Sequence, residues 1–236
     1  MAGVRPHRRD RGARGLHAGE PALALRRGRD AGAGGRRLKE GSMDAIDFVL
    51  LRYEDIHGRG FWELPDRLTE RQLRRRPQPG VNTVAWLLWH TARIEDVGVN
   101  RFVADRPQVL DGGWLERLAV GRRDVGTGMS DAEVDDLSER VDLAALRGYC
   151  AAVGARTLEV LESLRGAPLE AAVPVERVKA VSFGEGAVAA GADWLAEFWG
   201  AGRSRAWFLA QTPLLHVYGH YFEARGTAGL WGVRSP

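Results

Sequence analysis

Apolar residues in this chain recur at three- and four-residue steps, the period of one helix face, rather than in the alternation of a strand. Between Met43 and about Pro65 the stripe is Ile46, Val49, Leu50, Tyr53, Ile56, Gly60 and Leu64, which predicts a first amphipathic helix. Residues 68–73 read as a short helical turn, closed by Pro77, Pro79 and Gly80. Asn82 is the expected N-cap of a second helix, which runs through VAWLLWHTARIEDVGVNRF to about Ala104 and is the most apolar of the set. Residues 105–141 form a long connection with glycines at 112, 113, 121, 126 and 128, broken by a short helix at Ser130, where Ser130 and Glu133 have capping-box spacing. Asp142 caps a third helix, whose Leu143, Leu146, Cys150, Val153, Thr157, Val160 and Leu164 form a bundle seam that stops at Gly166 and Pro168. Residues 167–191 are irregular, with a brief extended piece at 171–175. A short helix near residues 193–199 precedes a fourth long helix from about Arg203 to Arg225, with Gly226 as its stop. This pattern predicts an all-α protein, a four-helix bundle with a long crossover connection between helices 2 and 3 and short accessory helices.

Composition divides the chain in two. The net charge of +3 is not spread evenly: residues 1–42 carry eleven Arg or Lys against four acids, and residues 43–236 carry 23 basic and 27 acidic groups. The folded part is therefore mildly acidic and offers no basic surface for specific nucleic-acid binding. Residues 1–42 have nine glycines and no aromatic residue, so they are expected to be a disordered tail beside a single domain at 43–236. Met43, which opens the first amphipathic stretch, is the expected natural start. No apolar run in the tail is long enough for a membrane span or a signal core. The single cysteine, Cys150, excludes an intrachain disulfide and any multi-cysteine metal centre, and it fits a reducing, cytoplasmic setting. Its place on the third-helix seam reads as a small buried hydrophobe.

The candidate chemistry lies in the histidines. His216 and His220 stand four apart, one turn above each other, on a stripe shared with Leu209, Pro213 and Glu223. His90 shares its face of the second helix with Trp86, Ile94 and Val97, so three imidazoles are expected to converge on one divalent ion such as Zn, Ni or Fe(II). Three protein ligands with open positions describe a catalytic or substrate-binding metal rather than a closed structural one. Glu223 is a candidate fourth ligand, outer acceptor or general base. His57 lies near the inward stripe without an evident partner, Glu95 and Asp96 read as solvated charges, and Trp86, Trp89, Trp194, Trp199 and Trp207 read as packing. Pro213 is expected to kink or wind the fourth helix one turn before His216. Phosphate-loop, serine-hydrolase and thioredoxin-type motifs are absent from the sequence.

The segments AWLLWHTARIED around His90 and LLHVYGHYFEARG around His216 and His220 resemble the DinB-like superfamily of bacterial four-helix bundles. The resemblance covers nearly all of residues 43–236 and implies a metal site on His90, His216 and His220. It also implies membership of a group that includes thiol-dependent isomerases and transferases using mycothiol or bacillithiol. Two functions follow as expectations. One is a metal-dependent enzyme acting on a small molecule with a low-molecular-weight thiol such as mycothiol as cosubstrate, enclosed in part by residues 105–141. The other is a non-catalytic, stress-related protein that binds metal or a small molecule. Neither needs a membrane or nucleic-acid partner, and a homodimer is left open.

Overall fold

The computed structural model describes residues 43–58 and 63–233; the expectations placed on residues 1–42 and on Gly60 lie outside them. The first helix, α1 (Ala45–Gly58), starts where the Asp44 carboxylate accepts the Asp47 N–H at 2.8 Å, and it buries Ile46, Leu50, Tyr53 and Ile56. It stops short of Pro65, where a 3-10 turn (Pro65–Arg67) begins. The short helix α2 (Glu70–Arg74) opens with a capping box between Thr69 and Gln72.

The second long element is α3 (Val84–Glu95), which continues as a π-helical stretch from Asp96 to Val103. Its N-cap is Thr83, whose hydroxyl accepts the Trp86 N–H at 3.1 Å. The expected cap, Asn82, donates instead to Glu223 at 2.7 Å. Every residue of α3 is buried, because neighbouring elements cover it on all sides. A helix with no wet face has nowhere to put solvated charges, and this overturns the expectation for Glu95 and Asp96. Glu95 is buried and accepts from the Tyr53 hydroxyl at 2.6 Å and the Thr157 hydroxyl at 2.7 Å. Asp96 accepts from Tyr149, Asn100 and the backbone N–H groups of Val109 and Leu110, all within 3.0 Å, and pairs with the equally buried Arg93. Buried carboxylates persist only when their lone pairs are met in this way.

The crossover carries α4 (Trp114–Leu118) and α5 (Asp131–Arg140), the latter opened by the Ser130–Glu133 capping box. Asp142 caps α6 (Leu143–Ser163), which buries Leu146, Cys150, Val153, Thr157 and Val160 against α3 and α1. The expected extended piece is a single bridge between Ala172 and Ser204. It is followed by α7 (Val175–Lys179), a π turn to Gly184, and α8 (Asp193–Trp199). The last long element begins as α9 (Arg205–Ala210), widens to π over Gln211–His216 and resumes as α10 (Val217–Leu230).

That widening is the winding expected from Pro213. Proline brings no N–H to the ladder, and the carbonyl five residues back, on Phe208, accepts the Thr212 hydroxyl at 2.9 Å. Gly226 does not stop the helix: Ala224, Thr227 and Ala228 are buried around it, and their packing carries α10 on to Leu230. The four long elements, α1, α3 with its extension, α6 and α9–α10, form the all-α bundle, with α3 against both α6 and α10. Among the described residues no helix is long and apolar enough to cross a membrane.

Candidate metal centre

The packing of the Gln211–His216 π stretch and α10 on α3 brings His90, His216 and His220 together, and one ring nitrogen from each lies within 4.8 Å of the others. The ring centroids stand 4.8 Å (His90–His216), 5.0 Å (His90–His220) and 4.5 Å (His216–His220) apart, with interplanar angles of 61°, 82° and 73°.

Two of the three rings are aimed by hydrogen-bond partners. The Nδ1 of His90 meets the carbonyl of Val125, from the crossover. That bond places the proton on Nδ1 and leaves Nε2 as an acceptor, 3.1 Å from Nε2 of His216. The Nδ1 of His220 meets Glu223 Oε2 at 2.7 Å, while Glu223 Oε1 accepts from Asn82 at 2.7 Å. The indole of Trp86, one turn before His90, stacks on that imidazole at 4.5 Å and 9°, and it stands perpendicular to the ring of His220, 6.4 Å away. The Nδ1 of His216 is buried with no hydrogen-bond partner among the described residues.

The crossover is locked in place at Gly126. Its φ of +82° lies in the left-handed region, and a Cβ there would stand 2.5 Å from the ring of Trp89. The Gly126 N–H is held by Asp124 at 2.8 Å, and the Val125 N–H by the Ala187 carbonyl at 3.0 Å.

Burial, reinforced by repulsion from His220, pushes His90 down to about 3. Burial, with His90 and His220 added to it, also holds His216 well below the usual imidazole range. Burial works against ionisation of Glu223, but the hydrogen bonds from His220 and Asn82 outweigh it and keep its carboxyl below the ordinary value. Two neutral imidazoles beside an orienting carboxylate are the protonation states that a metal site requires.

A cavity of about 280 Å³ opens against His90 and His216. Ile94, Leu195 and Trp199 wall it, and Thr127, Gln211 and Thr212 supply its polar atoms. Trp194 and Phe198 also line it while remaining 58% and 39% exposed. Trp194 is thus a rim residue and not the packing residue expected from its neighbourhood.

His57 stays outside the three-histidine cluster but has partners after all. It stacks on Tyr53 at 3.9 Å, faces Glu95 at 3.5 Å and reaches the carbonyl of Pro213 at 3.4 Å. Cys150 is buried on the α6 seam as expected; burial, then the charge of Glu95, pushes its thiol upward. Asn82, Val125 and Trp86 were not legible as site residues from the sequence. Only the four-residue spacing of Trp86 and His90 carried a signal.

Comparison with known proteins agrees with this architecture. The profile of the DinB superfamily matches residues 55–198, a stretch that includes His90 and the crossover and ends before His216 and His220. No curated protein matches the chain. A solved structure, described as a conserved protein of a locus from Enterococcus faecalis, is similar with a TM-score of 0.58 and 20% identity, over 80% of this chain and 98% of that one. At that identity the likeness concerns the fold alone. Because the family profile spans more than half of its length, the chain belongs to the DinB superfamily.

Proposed function

We propose that this protein holds one divalent metal ion on His90, His216 and His220 and acts as a metal-dependent transferase or isomerase with a low-molecular-weight thiol of the mycothiol type as cosubstrate. The observation that carries the metal reading is the convergence of three imidazole nitrogens within 4.8 Å, two of them aimed by groups that accept the opposite ring proton. The 3.1 Å between His90 and His216 suits two ligands of one ion, since each metal–nitrogen bond is about 2.0–2.1 Å. The wider span of the set, up to 4.8 Å, is longer than the roughly 3.3 Å between two nitrogens bound tetrahedrally to one ion, so ion binding would draw the imidazoles closer.

A divalent ion there supplies Lewis acidity, which favours the deprotonated form of a thiol or water at neutral pH. The chain's own groups do the rest. Val125 and Glu223 hold the tautomers of His90 and His220, and Trp86 fixes the plane of His90. Both oxygens of Glu223 are engaged, which supports an orienting role over that of a free base. Cys150 is walled into the core, so a reactive thiol has to arrive with a cosubstrate. The cavity beside His90 and His216 leaves room for the second reactant.

The test is elemental analysis of the purified protein and of a variant with all three histidines replaced by alanine, followed by thiol consumption with a model electrophile. One ion per chain, lost in the variant, with ion-dependent thiol consumption is the expected result. Equal metal content in the two proteins would remove the metal reading. An ion without acceleration of any thiol would leave a metal-binding protein that is not this enzyme.

A further inference from the structure

The cavity against His90 and His216 differs in chemistry from a larger depression of the surface. The latter, about 700 Å³, is lined by Arg101, Arg123, Asp111 and Glu185, side chains largely committed to ion pairs with one another or with nearby acids. The cavity at the histidines holds no Asp, Glu, Lys or Arg in its described lining. Its apolar wall is aromatic and aliphatic, and its polar groups are two hydroxyls, one amide and the two imidazoles. Arg203 lies over the rings of Phe198 and Trp207, at 5.2 and 4.7 Å, and is not among the lining residues.

Apart from an ion on the histidines, the cavity offers a charge no partner of opposite sign to offset the hydration it would lose. An uncharged, flat body would lose little and would gain the faces of Trp194 and Phe198. Those rings are large apolar surfaces left facing water at the cavity mouth, an arrangement that marks binding sites more often than packing.

We propose that this cavity binds an uncharged molecule with a flat aromatic body, lodged between Trp194, Phe198 and Trp199, with one polar atom directed to the gap between His90 and His216. The proposal deepens the function given above and rests on that reading for its reactive end, though not for its apolar end. A volume of about 280 Å³ sits at the small end of ligand sites, enough for one fused-ring system. It is an unsuitable berth for a bulky sugar-bearing thiol, which by this reasoning approaches the histidines from outside the cavity. The aromatic molecule is then the second substrate. Gln211 and Thr212 come from the π-widened turn around Pro213, so the irregularity that precedes His216 also shapes the wall.

The test uses 2-naphthol and 2-naphthoate, which share one body and differ in charge, titrated by calorimetry into the full-length protein in metal-loaded and chelator-treated forms. Saturable binding of 2-naphthol to both forms is expected, and in the chelator-treated form, where no ion attracts the carboxylate, it should be at least tenfold tighter than that of 2-naphthoate. Trp194→Ala and Phe198→Ala, at exposed rim positions, should each weaken 2-naphthol by roughly 3- to 10-fold, the range expected for one aromatic contact. Equal affinity of the chelator-treated form for the two probes, or unchanged affinity in both variants, would overturn the proposal. Absence of an ion in every preparation, with 2-naphthol still bound, would sink the metal reading and leave the cavity assignment standing. An ion without 2-naphthol binding would do the reverse.

Discussion

Replacing Gly126 by alanine tests whether the crossover, rather than the helices alone, sets up the three histidines. Two costs add at this position. The left-handed φ of +82° costs a residue with a Cβ about 1–2 kcal/mol. The new methyl would also stand 2.5 Å from Trp89, against an ordinary carbon contact of about 3.5–4.0 Å. Trp89 is fully buried and has no room to withdraw, so overpacking adds about 1–3 kcal/mol. The total, about 2–5 kcal/mol, corresponds to a fall of roughly 4–20 °C in Tm for a domain of this size. The control is Gly80→Ala, where φ is +81° but nothing lies within 4 Å. It isolates the backbone cost and should lower Tm by no more than about 8 °C. Relief of the clash at Gly126 moves the Val125 carbonyl away from His90, and loss of such an outer hydrogen bond weakens metal binding by about 10- to 100-fold. Differential scanning calorimetry gives the first quantity and competition with a chromophoric chelator the second. If Gly126→Ala melts with Gly80→Ala and binds metal as tightly as the parent, the crossover does not organise the site.

Four further outcomes follow. Glu223→Gln should weaken metal binding by about 10- to 100-fold while the Tm of the chelated protein changes little, measured by the same two assays; unchanged affinity would refute the orienting role of the carboxylate. In the metal-free protein, His90 at about 3 and the similarly lowered His216 stay neutral while the unfolded chain binds protons below about 6.5. Stability should therefore fall as pH drops below about 6.5, with His90 alone accounting for about 2 kcal/mol by pH 5; urea melts that show the same pH slope in His90→Gln would contradict this. Cys150 should resist a thiol reagent in the native state and react only on unfolding, which mass spectrometry after iodoacetamide would show. Gly98→Ala should destabilise, because its Cβ would stand 2.4 Å from the buried Thr212 hydroxyl. Gly219→Ala, on an exposed helical position with nothing within 4 Å, should stabilise by about 0.5–1 kcal/mol. Thermal melts that moved the same way in both variants would contradict the close approach of the two π segments.

The sequence by itself determined what depends on local spacing. The apolar stripes of Ile46 to Ile56 and Leu146 to Val160 specify helix faces. Ser130 with Glu133, and Asp142, specify helix starts. His216 and His220, one turn apart, form a pair wherever the helix sits. His90 was legible as a third member because its own stripe is apolar. What the sequence did not determine depends on which surfaces meet. Glu95 and Asp96 look like solvent charges on any single helix; they are buried because other elements close over every side of α3, and their partners, Tyr53, Thr157 and Tyr149, are 42 to 62 residues away. Asn82 has the chemistry of an N-cap, yet packing turns it to Glu223, 141 residues on, and leaves capping to Thr83. His57 gained partners only once α1 lay beside α3 and the turn at Pro213. Val125 entered the site through its carbonyl, a group that every residue carries and no side-chain pattern reveals. The exposure of Trp194 at a cavity mouth likewise has no sequence signature. A tryptophan in an apolar neighbourhood reads as core until the fold shows which side of it is left without a neighbour.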